Sequence, residues 1–325
     1  MYDVAIVGLG CAGYTAAIYC ARYKLSTLII GAEEGGMGMA AAEVGDWPGT
    51  VNITGPDLME NFKKHALSFG GVAHRIVRID RIDPFDYAQS DIRQKAFHLI
   101  LQSGEALDAR TLILALGTKK RHLGVPGEVE FSGKGVTYCA TCDAYFYKGK
   151  GVAVIGGGDS AVEGAAIAAQ VAREVYLIHR RKEFRAEPYW VNRMKARDNV
   201  TFVLERNIVE ILGKEKVTGV RLDKPFEGKD ILPLDGVFIE VGADPASGLA
   251  KDAGCALDAK GYVTVDAAQS TTIPGIFAAG DLTTNSNYFA QFTTAAGEGT
   301  VAANSAFKYL QSAEAIPSPQ GRGSG

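Results

Sequence analysis

Nowhere does the chain carry an apolar run near the roughly 20 residues that a bilayer-crossing helix needs, so no membrane association is expected. Excess charge is also missing. A formal net charge of -3 over 325 residues gives no electrostatic footprint for nucleic acid or for an acidic membrane surface. The sequence opens on the strand-like MYDVAIVG, with neither a basic stretch nor a cleavage site before it, and a cytoplasmic location is expected. Cysteine is scarce. Five residues, an odd number in so long a chain, do not make the framework of a disulfide-stapled secreted domain. In a reducing compartment a close cysteine pair points to catalysis or metal binding rather than to structure.

What is present suits a globular enzyme of about two domains: 47% hydrophobic residues against 22% charged. Two segments read as strand, glycine turn and helix. One is DVAIVGLGCAGYTAAIYCARY near the start; the other is GVAVIGGGDSAVEGAAIAAQVA from Gly151. Each is followed by a further short strand, TLII (27–30) and EVYLIHRR (174–181). A βαβ unit used twice predicts an α/β fold with two doubly wound, Rossmann-like nucleotide-binding domains. A crossover is expected after TLILALGT (111–118) and another near GADPASG (242–248), with the later segments GIFAAGD and TAAGEGTVAANSAFKYL returning to the first domain. The expected boundaries are 1–116 and 246–313 for the first domain and 117–245 for the second, inserted domain. A Pro/Gly/Ser-rich disordered tail is expected over 314–325.

The two glycine loops differ in the charge that follows them. In Gly8-Leu9-Gly10-Cys11-Ala12-Gly13 the glycines permit a tight turn and close approach of a pyrophosphate to the helix N-terminus. Glu33 stands 20 residues beyond Gly13, where a carboxylate accepts bonds from ribose hydroxyls. The second loop is Gly156-Gly157-Gly158-Asp159-Ser160-Ala161, and its strand end carries His179, Arg180 and Arg181 instead of an acid. Arg181 lies 20 residues beyond Ala161, and Arg185 follows. Guanidinium groups there suit the 2′-phosphate of NADP. One acidic and one basic dinucleotide site in a single chain suggest a flavin acceptor and a nicotinamide donor.

Between the loops lies YCATCDAYFY, with Cys139 and Cys142 two residues apart. Zinc needs four ligands, usually as two local pairs, and Cys11, Cys20 and Cys255 are isolated from one another. A structural bridge over so small a loop stabilises little. Thiol–disulfide exchange is the remaining use, and the adjacent Asp143 can move the proton that opening a disulfide requires. Cys11, in the turn, reads as a small apolar filler.

At this point the chain resembles the low-molecular-weight, bacterial-type thioredoxin reductases of the class II pyridine nucleotide-disulfide oxidoreductases. The likeness runs to about residue 310, through GLGCAGYTAAIYCAR, EVGDWPGTVNITGPDLME, LALGTKKRHLGVPGE, GVTYCATCDAYFY, VIGGGDSAVEGA, HRRKEFRA, VFIEVGADP and IFAAGD. The resemblance implies FAD in the first domain, NADPH in the second, a homodimer, and thioredoxin or a thioredoxin-like protein as partner. It assigns Cys142 to the flavin side, Cys139 to attack on the partner disulfide, Asp143 to acid/base work, and Tyr145 and Phe146 to partner contact. It further implies FAD contacts at Gly8, Gly10, Ala12, Gly13, Glu33, Gly36, Met37, Asp46, Gly280, Asp281 and Gln291. For NADPH it retains Gly156, Gly158, Asp159, Ser160, Ala161, His179, Arg180, Arg181 and Arg185. It also makes the two crossovers hinges for a domain rotation.

The chain departs from the family pattern at Met37 to Ala42, where relatives carry groups able to hydrogen-bond, and at Asp46, Ala290 and Gly164. A carboxylate at Asp46 near the flavin would disfavour a reduced, anionic flavin. Other dithiol carriers, or ferredoxin as electron donor, are the alternatives among enzymes, although HRRKEFR argues against ferredoxin. A flavin-bound redox sensor with little turnover is the alternative from another class.

Overall fold

The computed structural model describes residues 1–41, 43–89 and 92–314. Ala42 of the departing segment and residues 315–325 of the expected tail lie outside the described residues. The chain divides into two compact units, Met1–Lys119 with Pro245 onward, and Lys120–Asp244.

The first unit is built on a sheet ordered Val72–Ile76, Thr27–Glu34, Tyr2–Leu9, Ala106–Leu114, Ile92–Leu101, Ile79–Gln89, with Ile276–Ala278 also paired to Ala106–Leu114. The strands from Val72–Ile76 to Ala106–Leu114 run parallel, as does Ile276–Ala278. The last two form an antiparallel meander with Ala106–Leu114. Strand Tyr2–Leu9 shows why the apolar run is nearly continuous. Val4 and Ile6 enter the core on one face of the sheet, and Ala5 and Val7 enter the core on the other. A parallel strand buried on both faces needs that pattern. Truncating the fully buried Ile6 to alanine should cost roughly 2–5 kcal/mol.

Helix Cys11–Arg22 is rich in small residues because helix Phe292–Glu314 lies close against it. A Cβ on Gly299 would stand 2.3 Å from the carbonyl oxygen of Ala12. The C-terminal segment is thereby brought to the first glycine loop.

The second unit has a five-stranded parallel sheet ordered Val200–Leu204, Glu174–His179, Gly151–Ile155, Gly236–Ile239, Val136–Thr137. Val152 and Val154 face one core while Ala153 and Ile155 face the other. A three-stranded antiparallel sheet, Ile208–Gly213, Val217–Phe226 and Lys229–Pro233, fills the place of a crossover helix before strand Gly236–Ile239. The two chain segments joining the units, Thr118–Lys120 and Ala243–Pro245, pair as a short sheet of their own. No helix among the described residues is long and apolar enough to cross a membrane.

Candidate active site

Strand Val136–Thr137 delivers the chain to Cys139, which adopts an extended backbone and caps the short helix Ala140–Asp143. The Cys142 N–H donates to Cys139 Sγ at 3.2 Å, so the cap is itself one of the two sulfurs. Cys139 and Cys142 are joined in a disulfide, with Cα atoms 5.3 Å apart. Cys142 is exposed and Cys139 half-buried.

Thr137 is a residue of this site that the motif did not single out. Its hydroxyl donates to Asp143 Oδ2 and accepts the backbone N–H of Cys139 at 3.2 Å. Thr137 is buried at the end of a sheet strand, so it ties the carboxylate and the first cysteine to the edge of the sheet. Next to the pair, Tyr138 donates to the buried Glu128 at 2.8 Å, and His122 Nδ1 lies 2.7 Å from the same hydroxyl. Burial and the Glu128 carboxylate hold the Tyr138 phenol well above its ordinary value. Tyr145 and Phe146 stand 71% and 72% exposed, whereas the neighbouring Tyr147 packs edge-on against Phe238. The two adjacent rings thus present apolar surface beside the cysteine pair.

Cys11, Cys20 and Cys255 are buried free thiols. Burial pushes Cys11 and Cys20 up to about 12, which makes both poor nucleophiles.

In the first glycine loop, Gly8 and Gly13 are structural. A Cβ on Gly13 would meet the Gly8 carbonyl oxygen at 2.0 Å, and one on Gly8, at φ +131°, would meet the Ala115 carbonyl oxygen at the same distance. Gly10 differs, since nothing lies within 4 Å of where its Cβ would point. Gly10 begins helix Cys11–Arg22, so the open space lies at the positive end of the helix. Gly280 packs close to Ala12, where an added Cβ would stand 3.0 Å from the Ala12 Cβ, and this sets Asp281 beside the loop. A Cβ added to Gly36 would stand 4.0 Å from the Gly10 Cα, so this glycine also borders the loop. Glu33 is exposed at the end of its strand and has no partner among the described residues. Glu34, by contrast, is engaged by Lys63 at 2.8 Å and His74 at 3.3 Å.

Glu298 was not legible as part of this site. From helix Phe292–Glu314 its buried carboxylate accepts from Gly280 N (2.8 Å), Thr283 Oγ1 (3.0 Å) and Ser286 Oγ (2.6 Å), which fixes the loop bearing Asp281. Burial, and then the Glu298 charge, push Asp281 up to about 6. Gln291 is half-buried at the start of that helix, its N–H bonded to Thr294 Oγ1. Met37 to Ala40 of the departing segment lie in a 3-10 helix, Gly36–Ala40. Gly38 in it packs tightly on Met59 and Phe292, and Met37 is half-buried. Asp46 is exposed.

The second loop repeats the division of labour. A Cβ on Gly156, at φ +147°, would stand 2.1 Å from the Glu240 carbonyl oxygen, whereas Gly158 faces open space at the start of helix Asp159–Ala168. Ser160 is exposed in its first turn and Ala161 is buried. Asp159 is turned to the chain itself, accepting the Glu187 N–H at 2.7 Å. His179, expected with the phosphate-binding residues, is buried beneath Gly157 and stacked on Phe184. Burial, reinforced by the nearby arginines, lowers its pKa. Arg180, Arg181 and Arg185 are exposed, and none has a carboxylate partner among the described residues. The Arg185 N–H donates to the Gly157 carbonyl at 2.7 Å, which folds the basic segment back onto the loop.

The profile of the pyridine nucleotide-disulphide oxidoreductases spans residues 2–299. The chain belongs to that family. It is 42% identical over 315 residues to a thioredoxin reductase of Mycolicibacterium smegmatis, covering 95% of this chain and 97% of the relative. It is also 39% identical over 318 residues, 94% and 95% of the two chains, to a glucosaminate ammonia-lyase of Pseudomonas fluorescens. Among solved structures, the thioredoxin reductase of Lactococcus lactis superposes with a TM-score of 0.87 at 33% identity, over 96% of this chain and all of that one. Within the family the likeness is thus to the low-molecular-weight thioredoxin reductases. Enzymes of this kind use FAD and NADPH. The open space at Gly10 and Gly158, the unpaired Glu33 and the unpaired arginines fit those two groups at the first and second loops respectively.

Proposed function

We propose that the chain is an NADPH-dependent flavoprotein disulfide reductase that passes electrons to the disulfide of thioredoxin or a thioredoxin-like protein. The observation that carries this is the Cys139–Cys142 disulfide, with Asp143 held beside it through Thr137, in the same unit as a basic nucleotide loop. FAD, when bound, supplies the means of turning a hydride from NADPH into a reduced cysteine pair.

The residues of the chain do the rest. Gly10 and Gly158 admit a pyrophosphate to their helix N-termini, with Gly8, Ala12, Gly13, Gly156, Ser160 and Ala161 shaping the turns. Glu33 takes the ribose at the first loop; Gly36, Met37, Gly280, Asp281 and Gln291 complete that side. Arg180, Arg181 and Arg185 take the 2′-phosphate at the second, and His179 and Asp159 support them from behind. In the reduced pair, the Cys139 thiolate attacks the partner disulfide and forms a mixed disulfide, expelling one partner thiolate. Cys142 then attacks Cys139 Sγ, which restores the protein disulfide and releases the partner as a dithiol. Asp143 exchanges the proton that each thiol gains or loses. Tyr145 and Phe146 supply the apolar contact for the partner. We assign the protein a cytoplasmic location and a homodimeric state, the latter tested by light scattering on the FAD-loaded protein.

Steady-state oxidation of NADPH tests this function. It should depend on added oxidised thioredoxin and vanish in Cys139→Ser and Cys142→Ser. Ammonia release from glucosaminate, with no thioredoxin-dependent oxidation, would contradict it.

A further inference from the structure

The Glu240 carboxylate has no part in the function proposed above, yet it is a buried charge next to the cysteine pair. Glu240 follows strand Gly236–Ile239, and its side chain is 5% exposed. Lys120 Nζ lies 2.6 Å from Oε2 and reaches it from the segment Thr118–Lys120. The backbone N–H of Ala140 faces this carboxylate and favours its charged form. Ala140 follows Cys139 directly and opens the helix that carries Cys142. Room for the arrangement comes from Gly164, where a Cβ would stand 3.0 Å from Ala140 Cβ and 3.8 Å from Glu240 Cγ. The backbone of Glu240 meets the nucleotide loop, its N–H donating to Ile155 O at 2.9 Å and its carbonyl abutting Gly156. One residue therefore touches both the first glycine of the basic loop and the start of the redox helix.

Stability alone does not account for this pair. An ion pair buried to this degree commonly contributes no more than apolar side chains of the same volume. Burial raises the pKa of Glu240, and Lys120 opposes the shift.

We propose that Glu240, held by Lys120, is a positioning residue for disulfide exchange. It anchors the helix start at Ala140 and, by its charge, sets the balance between the disulfide and dithiol forms of Cys139–Cys142. The inference rests on the reductase function proposed above. A reduced pair carries thiolate character, which a neighbouring negative charge disfavours and a positive one favours. Neutralising Glu240 while Lys120 remains therefore favours the dithiol form. Removing Lys120 while Glu240 remains has the opposite effect, reduced in size by proton uptake at Glu240.

The FAD-loaded protein, without NADPH, is equilibrated anaerobically at pH 8 with graded ratios of reduced to oxidised dithiothreitol. Cys139–Cys142 gains two electrons and two protons as the two dithiothreitol thiols close to a cyclic disulfide. The thiols are then trapped by alkylation and counted by mass. Glu240→Gln, which keeps an acceptor for the Ala140 N–H, should move the equilibrium constant about tenfold toward the dithiol, or about 30 mV. Lys120→Met should move it about threefold toward the disulfide, and it serves alone should Glu240→Gln not fold. A Glu240→Gln constant within twofold of wild type overturns the inference, as does a Lys120→Met shift that is absent or toward the dithiol. A wild-type pair that does not cycle with dithiothreitol sinks the reductase function and this inference together. Cycling with unshifted variants sinks this inference alone.

Discussion

Thr137 donates its hydroxyl proton to Asp143 while accepting the N–H of Cys139, so one buried oxygen holds both the carboxylate and the redox helix to a sheet strand. General acid–base groups contribute about 10²–10⁴-fold to rate when correctly placed, and loss of the tether should forfeit part of that. Thr137→Val is expected to lower thioredoxin turnover about tenfold, and Thr137→Ser to restore it to within about twofold. Stopped-flow measurement of the disulfide-exchange step checks this. Equal turnover in the valine and serine variants would remove Thr137 from the mechanism.

The glycines of each loop separate into those that shape the turn and those that face open space. Gly13→Ala and Gly156→Ala would drive a Cβ to about 2 Å from a backbone oxygen, and neither should yield stable folded protein. Gly10→Ala and Gly158→Ala meet nothing within 4 Å and should fold normally. They should instead weaken cofactor binding, FAD for Gly10→Ala and NADPH for Gly158→Ala, by tenfold or more on the order of 1.4 kcal/mol. Flavin release by ultrafiltration and the NADPH KM supply the two readouts.

Arg180, Arg181 and Arg185 carry no internal ion pairs among the described residues, so their removal costs little in the free protein. Bidentate arginine–phosphate contacts are strong and specific. Arg181→Ala with Arg185→Ala should raise the NADPH KM roughly tenfold or more and leave the NADH KM nearly unchanged. A parallel rise for both nucleotides would assign the basic segment to a different role.

The doubly wound fold was legible because its signal is local. In Val4 to Val7 and Gly151 to Ile155 an apolar run meets a glycine turn and a small-residue helix, and both faces of each strand are buried. The antiparallel pieces were not foreseen. Strand Ile79–Gln89 places Asp80, Arg81, Asp83 and Asp86 among its apolar residues, and such a mixture carries no clean period. Spacing put His179 with the arginines that follow it, but spacing does not show direction. The alternation of the strand turns that ring inward under Gly157. Glu298 and Glu240 escaped notice for another reason. Each acts on a segment distant in sequence, Gly280 to Ser286 for one and Ala140 for the other, and nothing local distinguishes them from surface acids.

Asp281 provides a pH test. Its folded pKa of about 6 lies above the ordinary 3.8, first through burial and then through Glu298. Between those values the folded protein holds a proton that the unfolded chain has lost, so this contribution to stability is full below about pH 4 and is lost as pH rises through about 6. At neutral pH the ionised group then costs at most about 3 kcal/mol. In flavin-free protein, Asp281→Asn should raise Tm by a few degrees at pH 7.5, with the gain falling to roughly a third near pH 4.5. A gain of equal size at both values would contradict the assignment.

The central claim is that electrons enter from NADPH and leave through Cys139–Cys142. Anaerobic addition of NADPH to the FAD-loaded protein, followed by oxidised thioredoxin, tests it in one cuvette. The flavin absorbance should bleach with NADPH and return on adding thioredoxin, while Cys142→Ser should bleach without returning. Absence of bleaching in the wild-type protein, or full recovery in Cys142→Ser, would contradict it.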